Sequence, residues 1–291
     1  MSLLAGILLA VAAAAGNAIG SVLQRSASRH HDPSLRWWEG LLALLRRPAW
    51  LAGILAHVVG FAFQAVALAT APITVVQPVL VVELPFTLVL GALLISAPLG
   101  RRAWIAVATM AVGVALFLAC LVPEGGDPRT TPPAAWAVGT AVVLLVLGVL
   151  LVLGRAGRGR RRALWFGVAT GVTYGYNAAL MAGLGPAYAG GVGEVLVTWQ
   201  FYGVLVGGTV SFLFLQQALQ AGDLLWAQPG ITLANPFVAV IWGLAVFGER
   251  IALDLRALGL LGGVVAIVVG TVVLSRVEEE VEEEVDDREP G

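Results

Sequence analysis

Glu83 is an acidic residue in the middle of a strongly apolar stretch, and two prolines flank it. The stretch 76–86 reads VQPVLVVELPF, so Gln77 is close by and Pro78 and Pro85 lie seven residues apart. A charged carboxylate at mid-helix in a membrane costs about 2.5 to 3.5 kcal/mol, so Glu83 is expected to be paired, protonated or next to water. Three roles fit: a carboxyl group that loads and releases a proton, a charged group that binds a cation, or a protonated structural acid.

The proline pattern around Glu83 occurs a second time in the chain. With an offset of 151 residues, the segment 61–96 matches 212–247 without a gap and with ten identities in 36 positions. Proline inside a helix removes a backbone hydrogen bond, and membrane helices tolerate it where neighbours or a cavity satisfy the freed carbonyl groups. We therefore expect two helices that are each kinked twice, at helix-kink residues Pro78, Pro85, Pro229 and Pro236.

The remaining polar side chains in apolar segments complete a candidate site. Asn17 lies in GNAIG and Asn177 in YNAAL, and these two short motifs correspond between the halves. His57 and Gln64 share a helical face, as do Tyr174 and Asn177. Amides also link membrane helices to each other, which is the alternative role here. The expected substrate-binding residues are Glu83, Gln77, Gln228, Asn235, Asn17, Asn177, Tyr174, His57 and Gln64, and Glu83 is also the expected proton-coupling residue.

The elements that must position these residues are membrane-spanning helices. Hydrophobic residues make up 59% of the 291 residues and charged residues only 12%, and the mean hydropathy is +0.90. Continuous apolar runs of roughly 20 residues indicate helices rather than the alternating strands of a barrel. About nine such runs predict an all-α integral membrane protein, at 3–23, 50–70, 73–96, 103–122, 135–153, 164–183, 195–217, 224–247 and 255–275.

The two halves are predicted to be repeats of opposite orientation. Asn17 and Asn177 fall in the first and sixth spans, and an odd number of spans per repeat inverts the second copy. The fifth span has almost no polar side chain, so it is expected to face lipid or a partner subunit, as in a homodimer. The predicted organisation is a five-span repeat at 1–154, a basic cytoplasmic linker at 155–163, a four-span repeat at 164–275 and an acidic tail at 276–291.

The arginines predict the orientation in the cell membrane. Twelve of the seventeen basic residues lie in the first, third and fifth predicted loops, so the positive-inside rule places the N-terminus outside and the C-terminus in the cytoplasm. The basic run at 154–163 is a topology signal in this context, and we expect no nucleic-acid partner.

Several kinds of chemistry have no residues to support them. The chain has no nucleotide-binding loop, only three histidines and one cysteine, and no zinc or hydrolase motif accompanies them. We therefore expect no enzyme activity, no cofactor and no resident metal site. If the chain binds Mg²⁺, Glu83 is the expected ligand, because Mg²⁺ usually keeps several waters and binds one or two carboxylates.

The segment QALQAGDLLWAQPGITLANPFVAVIWGLAVFGER at 217–250, with its Gly248-Glu249 pair, resembles the drug/metabolite transporter superfamily in its EamA-like branch. AIGSVLQRSA at 18–27 and FAFQAVALATAPITVVQP at 61–78 are similar to the NIPA-like proteins, which are described as magnesium transporters. The chain departs from the pattern in having Ala97-Pro98 in the first half where the Gly-Glu pair would fall, and most EamA-like members have ten spans.

Together, the residues and the resemblance imply a secondary transporter of a small solute, such as a metabolite, an amine or a drug-like compound. It would work by alternating access, with proton coupling through Glu83 as one form of the hypothesis. Two alternatives remain open at this point. The chain would be a NIPA-like magnesium transporter, or a membrane subunit that assists assembly or handles lipid without transporting anything.

Overall fold

The fold is described from a computed structural model of the full chain. The structure describes residues 3–28, 45–95, 100–121, 123–221, 224–251 and 256–286. Almost all of this is helix. The helices are α1 (Leu3–Ser28), α2 (Pro48–Thr70), α3 (Ile73–Leu80), α4 (Glu83–Ile95), α5 (Arg101–Cys120), α6 (Pro133–Ala156), α7 (Arg160–Gly183), α8 (Gly185–Gly190), α9 (Val192–Val197), α10 (Trp199–Gln220), α11 (Leu224–Ala245) and α12 (Arg256–Asp286).

Seven helical segments in the described part of the chain are long and apolar enough to cross a membrane. They are Leu3–Gln24, Pro48–Thr70, Ile73–Leu93, Arg101–Cys120, Pro133–Ala156, Trp199–Gln220 and Arg256–Leu274. The prediction of an all-α, multi-pass membrane protein is therefore confirmed. Two of the predicted runs do not reach this standard. α7 begins with three arginines, and in α11 only Gly230–Ala245 counts as a shorter apolar helix.

Two short strands form the only sheet among the described residues. β1 (Pro123–Glu124) pairs antiparallel with β2 (Arg250–Ile251), and Glu124 lies opposite Arg250. These strands connect the loop after α5 to the loop after α11. The start of α3 lies at the same end of the helix bundle, because Glu249 contacts it. We call this end of the bundle the β end.

The helix that carries Glu83 is broken by a two-residue turn. α3 ends at Leu80, Val81 and Val82 form a turn, and α4 begins at Glu83. Pro85 has no N–H to donate to the carbonyl of Val81, which accepts from the N–H of Leu84 instead, at 3.2 Å.

The matching helix α11 is continuous from Leu224 to Ala245 in spite of Pro229 and Pro236. Only the first pair of prolines therefore goes with an interruption, and the double kink of each helix stays a prediction. Membrane helices accept proline when surrounding groups compensate for the lost bond, so proline spacing alone does not determine where a helix breaks.

Small residues bring helix backbones close together, as their spacing in the sequence predicts. A Cβ atom on Gly167, Gly171 or Gly175 of α7 would lie 2.5 to 2.6 Å from a backbone oxygen of α11. In the first half, the same atom on Gly16 of α1 would lie 3.0 Å from the Cα of Gly60 in α2. These close approaches fix the spacing of α7 and α11 in the second half and of α1 and α2 in the first.

The fifth predicted span, α6, packs through one face only. Trp136, Val143 and Leu147 are buried, whereas Leu145 and Val152 are 68% and 66% exposed. The buried face lies against α7. α6 does not line the central cavity, which agrees with the expectation that it faces lipid or a partner subunit.

Candidate functional site

A cavity of about 770 Å³ lies at the level where the broken helix changes from α3 to α4. Its walls come from both halves of the chain. α1, α2, α3 and α4 supply one wall, and α7, α10 and α11 supply the other. The volume is that of a small-molecule pocket, and polar and apolar side chains both face it.

Glu83 reaches this cavity from the first residue of α4. Its carboxylate oxygen Oε2 accepts a hydrogen bond from the Nδ2 atom of Asn17 at 3.2 Å, and its main-chain oxygen accepts one from the hydroxyl of Thr87 at 2.8 Å. The break at Val81 and Val82 therefore places the acid at a helix start, beside a polar side chain of α1.

His57 is on the cavity wall and packs on Gly20 of α1. A histidine in this position could hydrogen-bond the carboxyl group of Glu83. Among the described residues, Asn17 takes that place. Asn17 thus has a second role beyond the predicted contact with a solute, because it orients the acid.

The two asparagines occupy similar surroundings in the two halves. Asn17 of α1 lies against Gly60 of α2, and Asn177 of α7 lies against Gly207 of α10. Both side chains also face the cavity. A glycine on the neighbouring helix leaves room for the amide in each case, and this room is what lets a polar group sit between two closely packed helices.

Three buried amide atoms at the cavity have no hydrogen-bond partner within the described part of the chain. They are Nε2 of Gln77, Oδ1 of Asn177 and Oδ1 of Asn235. Gln77 is only 1% exposed. Buried polar atoms are nearly always satisfied, and leaving one unpaired costs about 1 to 3 kcal/mol. A bound solute or ordered water would remove that cost.

The structure brings together nearly all the site residues that the sequence singled out. The side chains of Gln228 and Pro229 lie outside the described residues, and Pro78 and Pro85 are not among the residues that line the cavity. Binding of a solute by the other residues stays a prediction, whereas their shared location is seen in the structure. The predicted residues that line the cavity are Asn17, His57, Gln64, Gln77, Glu83, Tyr174, Asn177 and Asn235, together with Pro236.

The charge of the cavity wall is one-sided. Among the lining residues that the structure describes, Glu83 is the one acid and His57 the one histidine, and none is an arginine. The chain contains no lysine at all. Apolar side chains such as Leu80, Met181 and Ile231 supply much of the remaining wall. This lining suits a solute that is neutral or positively charged and partly apolar.

Tyr176 points away from the cavity, as helical spacing predicts for a neighbour of Tyr174 and Asn177. Its hydroxyl is 2.9 Å from the hydroxyl of Thr140 in α6, and its ring centroid lies 5.0 Å from that of Trp242. Tyr176 therefore ties α7 to α6 and α11, whereas Tyr174, two residues earlier, faces the cavity.

Some residues of the site were missed by reasoning from the sequence. Thr209, Thr232 and Gly208 line the cavity, although nothing in their own surroundings marks them. The offset of the internal match, extended four residues beyond the matched segment, could have found Gly208, because it pairs Gly208 with His57. Glu249 was also missed. It is 4% exposed and contacts the start of α3.

These features define a class: an all-α, multi-pass membrane protein with a cavity between its two halves that both polar and apolar side chains line. Over 252 residues the chain is 32% identical to the uncharacterized protein Cgl0250/cg0304 of Corynebacterium glutamicum, covering 85% of this chain and 86% of that protein. The chain therefore belongs to the same family as that protein. No family model matches the chain, and no solved structure matches it.

Proposed function

We propose that the protein is a secondary transporter that binds a small solute in the cavity around Glu83 and exposes it alternately to the two sides of the membrane. The observation that carries the proposal is the position of Glu83. It is an acid at the break of a membrane helix. Its side chain accepts a hydrogen bond from Asn17 and faces a cavity formed by both halves of the chain. Intramembrane acids of this kind commonly lie on substrate or proton pathways.

Matching positions of the two predicted repeats support this proposal, because they line the same cavity. Asn17 and Asn177 form one such pair through their motifs. The offset of 151 adds five more pairs: His57 with Gly208, Val58 with Thr209, Leu80 with Ile231, Val81 with Thr232, and Leu84 with Asn235. A cavity between inverted repeats is where many secondary transporters bind their solutes.

The helix packing has the same pattern in both halves. α1 packs on α2 and on α3 and α4, and correspondingly α7 packs on α10 and α11. α5 of the first half packs along α12 of the second. This arrangement favours nine spans in two inverted repeats of five and four. Membership of the EamA-like drug/metabolite transporters is proposed from the resemblance of residues 217–250. On this proposal the N-terminus is outside the cell membrane and the C-terminus is in the cytoplasm.

The solute is proposed to be neutral or cationic, with hydrogen-bonding groups. A carboxyl group and three unpaired amide atoms offer both acceptors and a donor, and the absence of arginine from the lining residues disfavours an anion. An amine meets these requirements, since its N–H groups can donate to Glu83 and Asn235. Loading of a proton on Glu83 in place of the solute would couple transport to a pH gradient.

The first experiment is a thermal-stability screen of the purified protein. Amines, amino acids, other small metabolites and divalent ions including Mg²⁺ are tested on the parent and on Glu83→Gln, with Glu194→Gln as a control because Glu194 is an exposed acid of α9. We expect an amine or another cationic solute to stabilise the parent and the control but not Glu83→Gln. Stabilisation by Mg²⁺ alone would replace the proposal with a magnesium transporter.

The second experiment measures transport of the stabilising solute into proteoliposomes under an imposed pH gradient. The parent is expected to respond to the gradient and Glu83→Gln is not. Equal gradient-driven rates would remove proton coupling from the proposal. If the parent transports none of the solutes tested and replacement of Glu83, Asn17 and Asn177 together has no phenotype, the chain has a non-transporting role.

A further inference from the structure

Glu249 holds the β end of the bundle together through a buried carboxylate. Oε1 accepts a hydrogen bond from the main-chain N–H of Ile73 at 3.0 Å, and Oε2 accepts one from that of Thr74 at 3.1 Å. These two residues open α3, whose preceding residue Pro72 provides no side-chain cap. The first N–H groups of a helix have no partner within the helix, so a carboxylate placed there forms two charge-assisted bonds.

The contact joins the two halves of the chain. Glu249 follows α11, whereas α3 is the first part of the broken helix in the other half, 176 positions away from Glu249 at Ile73. Gly243 of α11 makes the approach possible. A Cβ atom on Gly243 would lie 2.6 Å from Oε2 of Glu249 and 2.7 Å from the Cγ2 atom of Ile73. Any larger residue at this position would force the carboxylate and α3 apart.

The two parts of the broken helix differ in how deeply they are packed. All eight residues of α3 are buried, and α3 packs on α1, α7 and α11. By contrast, Glu83, Leu84 and Phe86 in α4 are only partly buried, and α4 packs on α1 and α12. The cavity lies at the junction of α3 and α4. Its β end is therefore plugged by α3, and Glu249 holds that plug in place.

We propose that the contact of Glu249 with α3 closes the cavity at the β end and can be released. We call this contact the latch. When its two hydrogen bonds to Ile73 and Thr74 are released, α3 separates from α11 and the cavity becomes accessible from that side of the membrane. This inference rests on the proposed transport function, since only a protein that opens to both sides needs a releasable plug.

The latch is predicted to be present at one end only. In the internal match, Gly248 and Glu249 correspond to Ala97 and Pro98. The structure of these two residues lies outside the described part of the chain, but neither has a carboxyl group. The opposite end of the cavity must therefore close by different contacts, which gives the two ends different energies of opening.

The latch can be tested by labelling a cysteine in the cavity. Thr232 lines the cavity, so Thr232→Cys in a Cys120→Ala background provides a single reporter thiol. A membrane-impermeant maleimide is applied separately to each face of oriented membrane vesicles, and the labelling rate is measured for the parent and for Glu249→Gln. The control is Glu194→Gln, which removes the same charge from the exposed helix α9.

Glu249→Gln leaves one acceptor oxygen for two N–H groups and removes the charge. Loss of one charge-assisted hydrogen bond shifts an equilibrium by roughly tenfold or more. We therefore expect labelling from the face of the β end to become roughly tenfold faster in Glu249→Gln and to stay unchanged in Glu194→Gln. The proposal is overturned if Glu249→Gln is labelled from that face at the same rate as the parent.

A second variant keeps the latch testable if Glu249→Gln does not fold. Gly243→Ala keeps Glu249 but places a methyl group against its carboxylate, and it should increase labelling from the same face. Labelling from the opposite face, retained in every variant, shows that the fold is intact. Because labelling needs no solute, a failure to find transport would count against the proposed function alone, whereas unchanged labelling in both latch variants would count against the latch alone.

Discussion

Gly175 sets the distance between α7 and α11, two helices of the same cavity wall, and a single methyl group there should disturb both stability and binding. A Cβ atom on Gly175 of α7 would lie 2.5 Å from the main-chain oxygen of Asn235 in α11 and 2.8 Å from the Cβ atom of Val238. Ordinary contact begins at 3.4 Å, so α11 would have to retreat by 0.9 Å, the difference between 3.4 Å and 2.5 Å. Overpacking of this kind costs about 1 to 3 kcal/mol.

Gly148 provides the matched control, because a Cβ atom there meets nothing within 4 Å. Both substitutions give alanine in a helix and share the same gain in helix propensity. We expect Gly175→Ala to have a free energy of unfolding about 1 to 3 kcal/mol below that of Gly148→Ala in detergent and denaturant titrations. Binding of the solute should also weaken, since Asn235 is displaced. If the two variants are equally stable, the close approach of α7 and α11 is not a feature of the protein.

Two other predictions separate the cavity from its surroundings. Gln77→Leu removes a buried amide that has an unpaired nitrogen, so the protein should become more stable by about 1 kcal/mol or more, while transport falls at least tenfold. Lower stability with full transport would instead mean that the amide is structural. Tyr176→Phe should lose about 0.5 to 1.5 kcal/mol with its bond to Thr140 and keep normal transport, whereas Tyr174→Phe should reduce transport. Equal transport rates in the two tyrosine variants would contradict this assignment.

The centre of the protein could be located from the sequence because polar residues are rare in its apolar segments. Burying Glu83 or Asn177 in a membrane is costly, so each needs a partner or a cavity, and a shared cavity serves several at once. The internal match added Asn235 and its neighbours. Reasoning from residue type therefore found the cavity, although it gave no distances within it.

The break at Val81 and Val82 and the contact of Glu249 could not be predicted in the same way. Both proline pairs have the same spacing, yet only the helix with Pro78 and Pro85 is interrupted. Proline spacing alone therefore does not determine whether a helix is interrupted, because the packing around it also contributes. Glu249 binds main-chain N–H groups, and every residue except proline has one, so no residue type marks the partner. The strands β1 and β2 are two residues long, too short for an alternating pattern.

The central claim is that a solute binds in the cavity between the halves. Gly208 lines this cavity and has open space around its Cβ position, so Gly208→Phe should fill the cavity without distorting the helices. Gly193 of α9 also has open space but does not line the cavity. Calorimetric binding of the solute found in the screen should be lost in Gly208→Phe and kept in Gly193→Phe. Binding to Gly208→Phe with the parent's affinity would contradict the account.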